Sequence, residues 1–273
     1  MKKNYQKPIL RWAGGKTQIL CYLIKNLPKN IDELRYVEPF FGAGSLFFSL
    51  KPSKSIISDI NEDLISCYRC ICKKPLLIHR HLGYHAKNDS ESYYYKIREQ
   101  YNKHNHLSAA QAARFIYLNK TSYNGIFRVN KSGKYNVPYG HRKFLGIPSL
   151  QDLKDASSLL KRARIKNNSY DIIFETLNDK DFIYLDPPYP PLNGTSYFTH
   201  YTKERFSLED HLNLAGELKN LDRAGIKFMV SNADTPSIKK MYRQFNIKSL
   251  PVIRYITCKK KKHTVKELII KNY

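Results

Sequence analysis

The sequence is poor in acid, in sulfur and in long apolar runs. Only 23 of its 273 residues are Asp or Glu, against 47 Lys and Arg, which leaves a formal charge of +24. An excess of that size points to a polyanionic partner, nucleic acid first, because basic side chains release the counterions condensed on phosphates. On charge alone, an anionic membrane surface and a lysine-rich composition without functional meaning stay open. No apolar run approaches the roughly 20 residues that span a bilayer, so no membrane partner is expected. Lys2 and Lys3 are not followed by an apolar stretch of signal-peptide type, which argues against export. The five cysteines, an odd number, read as reduced thiols of a cytoplasmic protein. Cys67, Cys70 and Cys72 cluster ahead of His79 and His81. No paired CxxC follows, however, and the stretch has helical spacing, so thiols are expected there rather than zinc, and no metal elsewhere. Internal repeats and long low-complexity tracts are also missing. What is present is 42% apolar and 13% aromatic, with 21 Tyr and one Trp. That composition belongs to a folded chain of one or two domains and not to a disordered basic tail.

Residues 9–60 alternate as an α/β unit. Trp12-Ala13-Gly14-Gly15 leads into a helix whose Ile19, Leu20, Leu23, Ile24 and Leu27 share a face, and Pro28 ends it. Arg35–Phe40 is a strand, Phe41-Gly42-Ala43-Gly44 a glycine turn into the apolar Ser45–Leu50, and Ser55–Ser58 a second strand with Asp59 at its end. Such strand–turn–helix–strand units bind nucleotides in doubly wound folds. From about 62 to 154 helical patterns dominate, as at Ala109, Ala110, Ala113, Ile116 and Tyr117. Two short runs around Asn130-Lys131-Ser132-Gly133 then predict a β-hairpin, made basic by Lys120, Arg128, Lys131, Lys134, Arg142 and Lys143. After about 155 the alternation returns, with strands at Phe182–Leu185 and Lys227–Ser231 around an amphipathic helix at Leu208–Leu221. Near the end, Val252–Thr257 and Val265–Ile270 flank Lys259-Lys260-Lys261-Lys262, a run that is either a solvated hairpin loop or a phosphate contact.

Asp186-Pro187-Pro188-Tyr189 directly follows an apolar strand. Its prolines cannot continue a central ladder and stiffen a loop at the strand's carboxyl end, where ligands bind in open α/β sheets. A carboxylate, a backbone carbonyl and an aromatic ring in one loop suit a planar base carrying an exocyclic amino group. Asp186 and the Pro187 carbonyl would accept the two amino protons while Tyr189 stacks on the ring; the bland alternative is an acidic turn with an aromatic plug. The glycine turn lets backbone approach a ligand closely. Asp59 is placed either to bind ribose hydroxyls or to cap the helix containing Leu64 and Ile65. Gly15-Lys16-Thr17 offers a rival, since it ends like a P-loop and Phe182–Asp186 has the form of a Walker B strand. The P-loop pattern needs glycine where this chain has Leu10, and no convincing strand precedes the segment.

Taken in order, Arg11–Lys16, Val37–Leu46, Asp59–Ile65, Tyr123–Arg128, Tyr135–Gly140, Asp186–Tyr189, Phe198–Tyr201 and Ser231–Thr235 resemble the Dam-like DNA adenine-N6 methyltransferases, alpha group, D12 class. The resemblance implies an α/β, Rossmann-like S-adenosylmethionine-dependent methyltransferase fold. Into it is inserted a mostly helical DNA-recognition domain that carries the β-hairpin. Residues 1–61 and 155–273 would form the catalytic domain and 62–154 the target-recognition domain. S-adenosylmethionine is the implied cofactor, double-stranded DNA the partner, and a flipped-out adenine within GATC the acceptor. By resemblance, Asp186, Pro187, Pro188 and Tyr189 are catalytic. Trp12, Lys16, Gly42, Gly44, Asp59 and Asp171 hold the cofactor, with Asp186 bordering both cofactor and base. Arg11, Tyr123, Asn124, Ile126, Arg128 and Pro138 contact DNA, although the family often has Lys where this chain has Arg11. A nucleoid-associated cytoplasmic location is expected, with a cognate restriction endonuclease as a partner if the chain belongs to such a pair; phage and chromosomal roles are equally open. Two other readings remain: an N4-cytosine methyltransferase, which shares the amino-group chemistry, and a DNA-binding module that has lost catalysis.

Overall fold

The structure, a computed structural model, describes residues 7–103, 107–190, 206–255 and 262–273. The Phe198–Tyr201 motif and Lys259–Lys261 lie outside the described residues. Seven strands form one sheet among those described: β1 (Arg35–Glu38), β2 (Ser55–Ser58), β3 (Ala163–Lys166), β4 (Asp181–Leu185), β5 (Lys227–Ala233), β6 (Asn246–Tyr255) and β7 (Lys262–Lys271). Their order is β3-β2-β1-β4-β5-β7-β6, parallel through β5, with β7 antiparallel to both of its neighbours. All five residues of β4 and all four of β2 are buried, the unbroken burial expected of parallel strands covered on both faces.

The helices are α1 (Leu20–Lys25), α2 (Ser45–Leu50), α3 (Glu62–Lys73), α4 (Pro75–Lys87), α5 (Glu91–Lys103), α6 (Ala109–Thr121), α7 (Leu150–Leu160), α8 (Tyr170–Phe174), α9 (Leu208–Arg223) and α10 (Pro236–Met241). Successive strand residues feed opposite faces. Tyr36 and Phe182 join one core with Phe47, Leu64, Ile116 and Leu153, which runs without a break from the sheet into α3–α7. Val37 and Ile183 join the other, with Leu214, Leu218, Phe228 and Ile238. The chain leaves β1 outward to β2 and β3, then returns to place β4 on β1's other side, with Tyr36 opposite Phe182 and Val37 opposite Ile183. Strand order therefore reverses between β1 and β4, and a crevice opens beyond their carboxyl ends. Arg35 stitches the far end of this pair through a two-pronged contact with Asp181, 2.6 and 2.7 Å.

The doubly wound α/β arrangement is the one expected, with local differences. β1 stops at Glu38 rather than Phe40 because Pro39 has no N–H for the ladder. The first helix ends at Lys25 and is preceded by a 3-10 turn at Lys16–Gln18. α8, a little over one turn long, has no counterpart in the sequence reading. β6 continues through Pro251, which is tolerated because β6 is an edge strand. The basic hairpin forms as a turn with single antiparallel bridges at Val129–Tyr135 and Ser122–Tyr139, short of a continuous ladder. Left-handed Asn124 (φ +56°) and Gly125 (φ +65°) interrupt the extended backbone a ladder needs. Asp89 anchors that segment, accepting hydrogen bonds from Tyr117 of α6 (2.6 Å) and from Tyr139 (2.7 Å). No helix among the described residues is long and apolar enough to cross a membrane.

Two buried histidines give the fold a pH dependence. Burial, with Arg114 and His81 adding positive charge, lowers the His85 pKa to about 4; burial lowers His211 to about 4 as well. Both rings are neutral in the fold, whereas the unfolded chain protonates them below about pH 6.5, so each removes stability as pH falls from there toward 4. In His85→Gln one of these contributions is gone, so Tm should drop less between about pH 7 and pH 5 than in the parent chain. Thermal melts across that range check this; an equal drop would show that His85 is already charged in the fold.

Candidate active site

The turn after β1 is built around two left-handed glycines, Gly42 (φ +47°) and Gly44 (φ +64°). Neither position has room for a side chain. A Cβ on Gly42 would come within 2.9 Å of Trp12 Cδ1, and one on Gly44 within 2.5 Å of Phe41 Cζ. Trp12 lies along this turn and stacks on Phe127 of the basic segment, ring centroids 5.4 Å apart and planes 22° from parallel. β2 delivers Asp59 to the same turn, where its carboxylate accepts the Gly42 N–H (2.9 Å) and the Asn61 N–H (2.9 Å). Asn61, not Asp59, caps α3 by accepting the Leu64 N–H at 2.9 Å. Burial raises the Asp59 pKa to about 6 despite the N–H groups of Asn61, Gly42 and Ile60 that favour its charged form.

β4 delivers Asp186 to the opposite wall. One carboxylate oxygen lies 2.7 Å from Lys16 Nζ; the other accepts the Ser231 hydroxyl of β5, also at 2.7 Å. The Ser231 and Tyr184 hydroxyls are 2.9 Å apart, so Ser231 is itself tethered. Burial pushes the Asp186 carboxyl above the ordinary range, while the Lys16 charge and the bonds from Lys16 and Ser231 pull it back. Lys16, only 5% exposed, also donates to the Gly14 carbonyl and sits 4.7 Å from the centre of the Tyr189 ring. The Tyr189 hydroxyl donates to Glu267 of β7 at 3.1 Å, and His211 Nε2 of α9 lies 3.0 Å from the Pro188 carbonyl. Glu38, at the end of β1, accepts the Tyr36 hydroxyl (2.8 Å); burial raises its pKa well above normal, with Asp186 and Asp59 adding to the rise.

These groups surround a cavity of about 680 Å³. Of the residues singled out in the sequence, Trp12, Lys16, Gly42, Gly44, Asp59 and the whole of Asp186–Tyr189 line it. Asp171 does not: it is exposed at the start of α8, while its neighbour Tyr170 forms the wall. Residues 7–15 contain no strand, so the strand–loop–helix layout of a P-loop is not formed around Gly15-Lys16-Thr17. The second group forms a separate face. Tyr123, Asn124, Arg128 and Pro138 are exposed, and Arg11 and Ile126 are half-buried. The Pro138 carbonyl accepts the Tyr123 N–H (2.9 Å). Arg11 is clamped through its backbone by both ends of the Asn119 amide, 2.8 and 2.7 Å, and its side chain packs so close to Gly125 that a Cβ there would lie 2.6 Å from Arg11 Cδ. Arg128 Nε donates to Asn136 Oδ1 at 2.8 Å, which fixes one edge of the guanidinium.

Sequence reasoning gave no role to Ser231, Glu38, Glu267, His211 or Asn136. Ser231 and Glu38 both lie in matched segments, Ser231–Thr235 and Val37–Leu46, so position pointed toward both. Glu267 and His211 carry no such local signal.

The family model described as D12 class N6 adenine-specific DNA methyltransferase matches residues 12–256. The type II methyltransferase M.MjaIII of Methanocaldococcus jannaschii is 43% identical, over 98% of this chain and 99% of the relative. The type II methyltransferase M1.LlaDCHI of Lactococcus lactis subsp. cremoris is 35% identical over 98% and 95%. The DNA adenine methylase of Escherichia coli K12 is 35% identical over 94% and 91%.

Replacing Lys16 by Met removes the counter-charge from Asp186. The Asp186 carboxyl should then titrate higher, because the Lys16 cation at ion-pair distance favours its charged form. Carboxyl-resolved NMR titration measures this, and an unmoved Asp186 would mean that the pair does not set its charge.

Proposed function

The chain belongs to the D12 class of N6 adenine-specific DNA methyltransferases, and on that footing we propose that it transfers a methyl group from S-adenosylmethionine to a flipped-out adenine within GATC. One observation supports the reading above the others: the glycine turn after β1 and Asp186 after β4 meet across one crevice at the point where the strand order reverses. The residues present fit the donor. The cavity has the volume of a cofactor site, and its lining sets the Trp12 ring, the backbone of Gly42 and Gly44 and the Asp59 carboxylate around one space. Trp12, Lys16, Gly42, Gly44 and Asp59 would hold the molecule. When bound, it supplies an electrophilic methyl group on a sulfonium sulfur.

The chain's own task is to make a poor nucleophile attack. The lone pair of the adenine amine is delocalised into the ring. Asp186 and the Pro187 carbonyl accept hydrogen bonds from the two amino N–H groups, which favours a tetrahedral nitrogen and disperses the positive charge that grows there; once methylated, the nitrogen releases one proton to solvent and is neutral again. Asp186 must be anionic to do this, and Lys16 and Ser231 supply the bonds that keep a buried carboxylate charged. Tyr189 stacks on the base. Flipping costs a few kcal/mol, which Tyr123, 48% exposed, offsets by entering the gap left in the stack. Arg128, braced by Asn136, reads guanine, while Arg11, Asn124, Ile126 and Pro138 complete the DNA face. In this reading residues 62–154 are the target-recognition domain and 1–61 with 155–273 the catalytic one. The type II methyltransferase relatives favour a place beside a restriction endonuclease that acts on the same site, in a nucleoid-associated setting.

Labelled methyl transfer to duplexes containing GATC or single-base variants, with the modified nucleoside identified, tests the whole reading. N6-methyladenine confined to GATC is expected; label on other sequences would discard the target. Asp186→Ala should fold and lose at least about a hundredfold in rate, the scale of removing one transition-state hydrogen-bonding group. Arg128→Ala should lose about 1–3 kcal/mol of discrimination at one base pair while other positions keep theirs; a uniform loss across sequences would make it a phosphate contact instead.

A further inference from the structure

Tyr189 is the ring on which the reading above seats the target base, and the segment carrying it has few ways of being held. Pro187 and Pro188 bring no N–H groups, so this stretch cannot be pinned by donating to a neighbouring strand. Side chains from distant elements hold it instead; Ser231 of β5 bonds the Tyr189 hydroxyl, and two further grips act at either end. His211 of α9 meets the Pro188 carbonyl at 3.0 Å, just before Tyr189, and Glu267 of β7 accepts the Tyr189 hydroxyl at 3.1 Å, at the ring's far end. Glu267 stands opposite Ala233 of β5 and Leu250 of β6, between strands that contribute no other acid at that level. It is 6% exposed and lines the same crevice as Asp186 and Glu38.

A buried carboxylate there is expensive on two counts. It loses hydration, and it adds negative charge to a cavity already lined by Glu38, Asp59 and Asp186, each raised by burial. An apolar residue would pack between β5 and β6 without either cost. What a carboxylate supplies and an apolar residue cannot is a strong acceptor for a phenol. Lys16 Nζ lies 2.7 Å from Asp186 and 4.7 Å from the Tyr189 ring centre, so the ring held by Glu267 borders the space beside Asp186 where the amine must sit.

We propose that Glu267 is a positioning residue for methyl transfer: its bond to the Tyr189 hydroxyl fixes the tilt of the ring, and so the width of the slot that aligns the base with Asp186. The inference rests on Tyr189 being the platform for that base.

The test uses the full-length chain and four variants: Glu267→Leu, Glu267→Gln, Tyr189→Phe and the Glu267→Leu/Tyr189→Phe double. Each is assayed for kcat, for KM toward a GATC duplex and for equilibrium S-adenosylmethionine binding. Glu267→Leu should lower kcat by about tenfold or more, the scale of a small misalignment, with S-adenosylmethionine affinity within about twofold of the parent. Glu267→Gln should regain most of the loss, since its amide oxygen still accepts the phenol proton. Tyr189→Phe keeps the ring and removes the hydroxyl, so it should reproduce the Glu267→Leu loss, and the double variant should be no worse than the poorer single. Additive losses, or full kcat in Tyr189→Phe, would overturn the proposal. If Glu267→Leu fails to fold, Tyr189→Phe alone decides between the same outcomes. Tyr189→Ala separates the two levels: parental activity there removes the platform itself, whereas inactivity alongside a fully active Tyr189→Phe overturns only the role of Glu267.

Discussion

The 2.7 Å contact between Lys16 and Asp186 in the crevice beyond β1 and β4 is the interaction around which the site is organised. Burial pushes the carboxyls of Glu38, Asp59 and Asp186 upward, and left alone such a group of acids would neutralise by taking up protons. A nearly buried ammonium between the glycine turn and the end of β4 opposes this for Asp186 and, more weakly, for Glu38. The sheet makes the arrangement available. Because β1 and β4 are neighbours whose connections leave in opposite directions, residues 38–44 and 186–189 face each other with no helix between them.

Trp12 ties this crevice to the basic segment around residues 122–139. Its indole is held against the glycine turn on one side and stacked on Phe127 on the other, while the adjacent Arg11 is clamped by Asn119 of α6. The unbroken core from the sheet into α3–α7 means that this basic segment rests on the same packed interior as the strands. Asp89, gripping Tyr117 and Tyr139 together, fixes the far side of that loop to α6.

Much of this is legible in the sequence where the cause is local. The unbroken apolar run 182–185 announced a strand buried on both faces, and two glycines after a strand announced a turn that needs left-handed backbone. The Asp-Pro-Pro-Tyr loop announced a stiff acceptor-rich corner at a strand end. What escaped was decided by distant neighbours. Nothing near Glu267 in sequence says that Tyr189 lies above it, because that contact exists only once β7 has inserted between β5 and β6. Asp59 could have been a cap or a ligand-facing acid, and the choice fell to Asn61 only when the turn at Gly42 supplied Asp59 with a competing donor. For Asp171 the motif pointed inward, but the short α8 turns its side chain outward and presents Tyr170 instead. The basic hairpin was legible as a turn; its lack of a full ladder follows from the left-handed pair at 124–125, set against Arg11.

The acid lining of the crevice has a consequence for how a nucleotide is sorted. The molecule as a whole is strongly cationic, so its outer field draws in a polyanion and its phosphates settle on the exposed lysines and arginines. The interior has the opposite sign, with Glu38, Asp59, Asp186 and Glu267 around one cavity. A phosphate pushed toward it meets repulsion that the low-dielectric walls strengthen. An uncharged purine meets none, and its amino protons find acceptors. In the proposed reaction this contrast between a cationic exterior and an acid-lined interior would keep the sugar-phosphate backbone at the rim and admit the base.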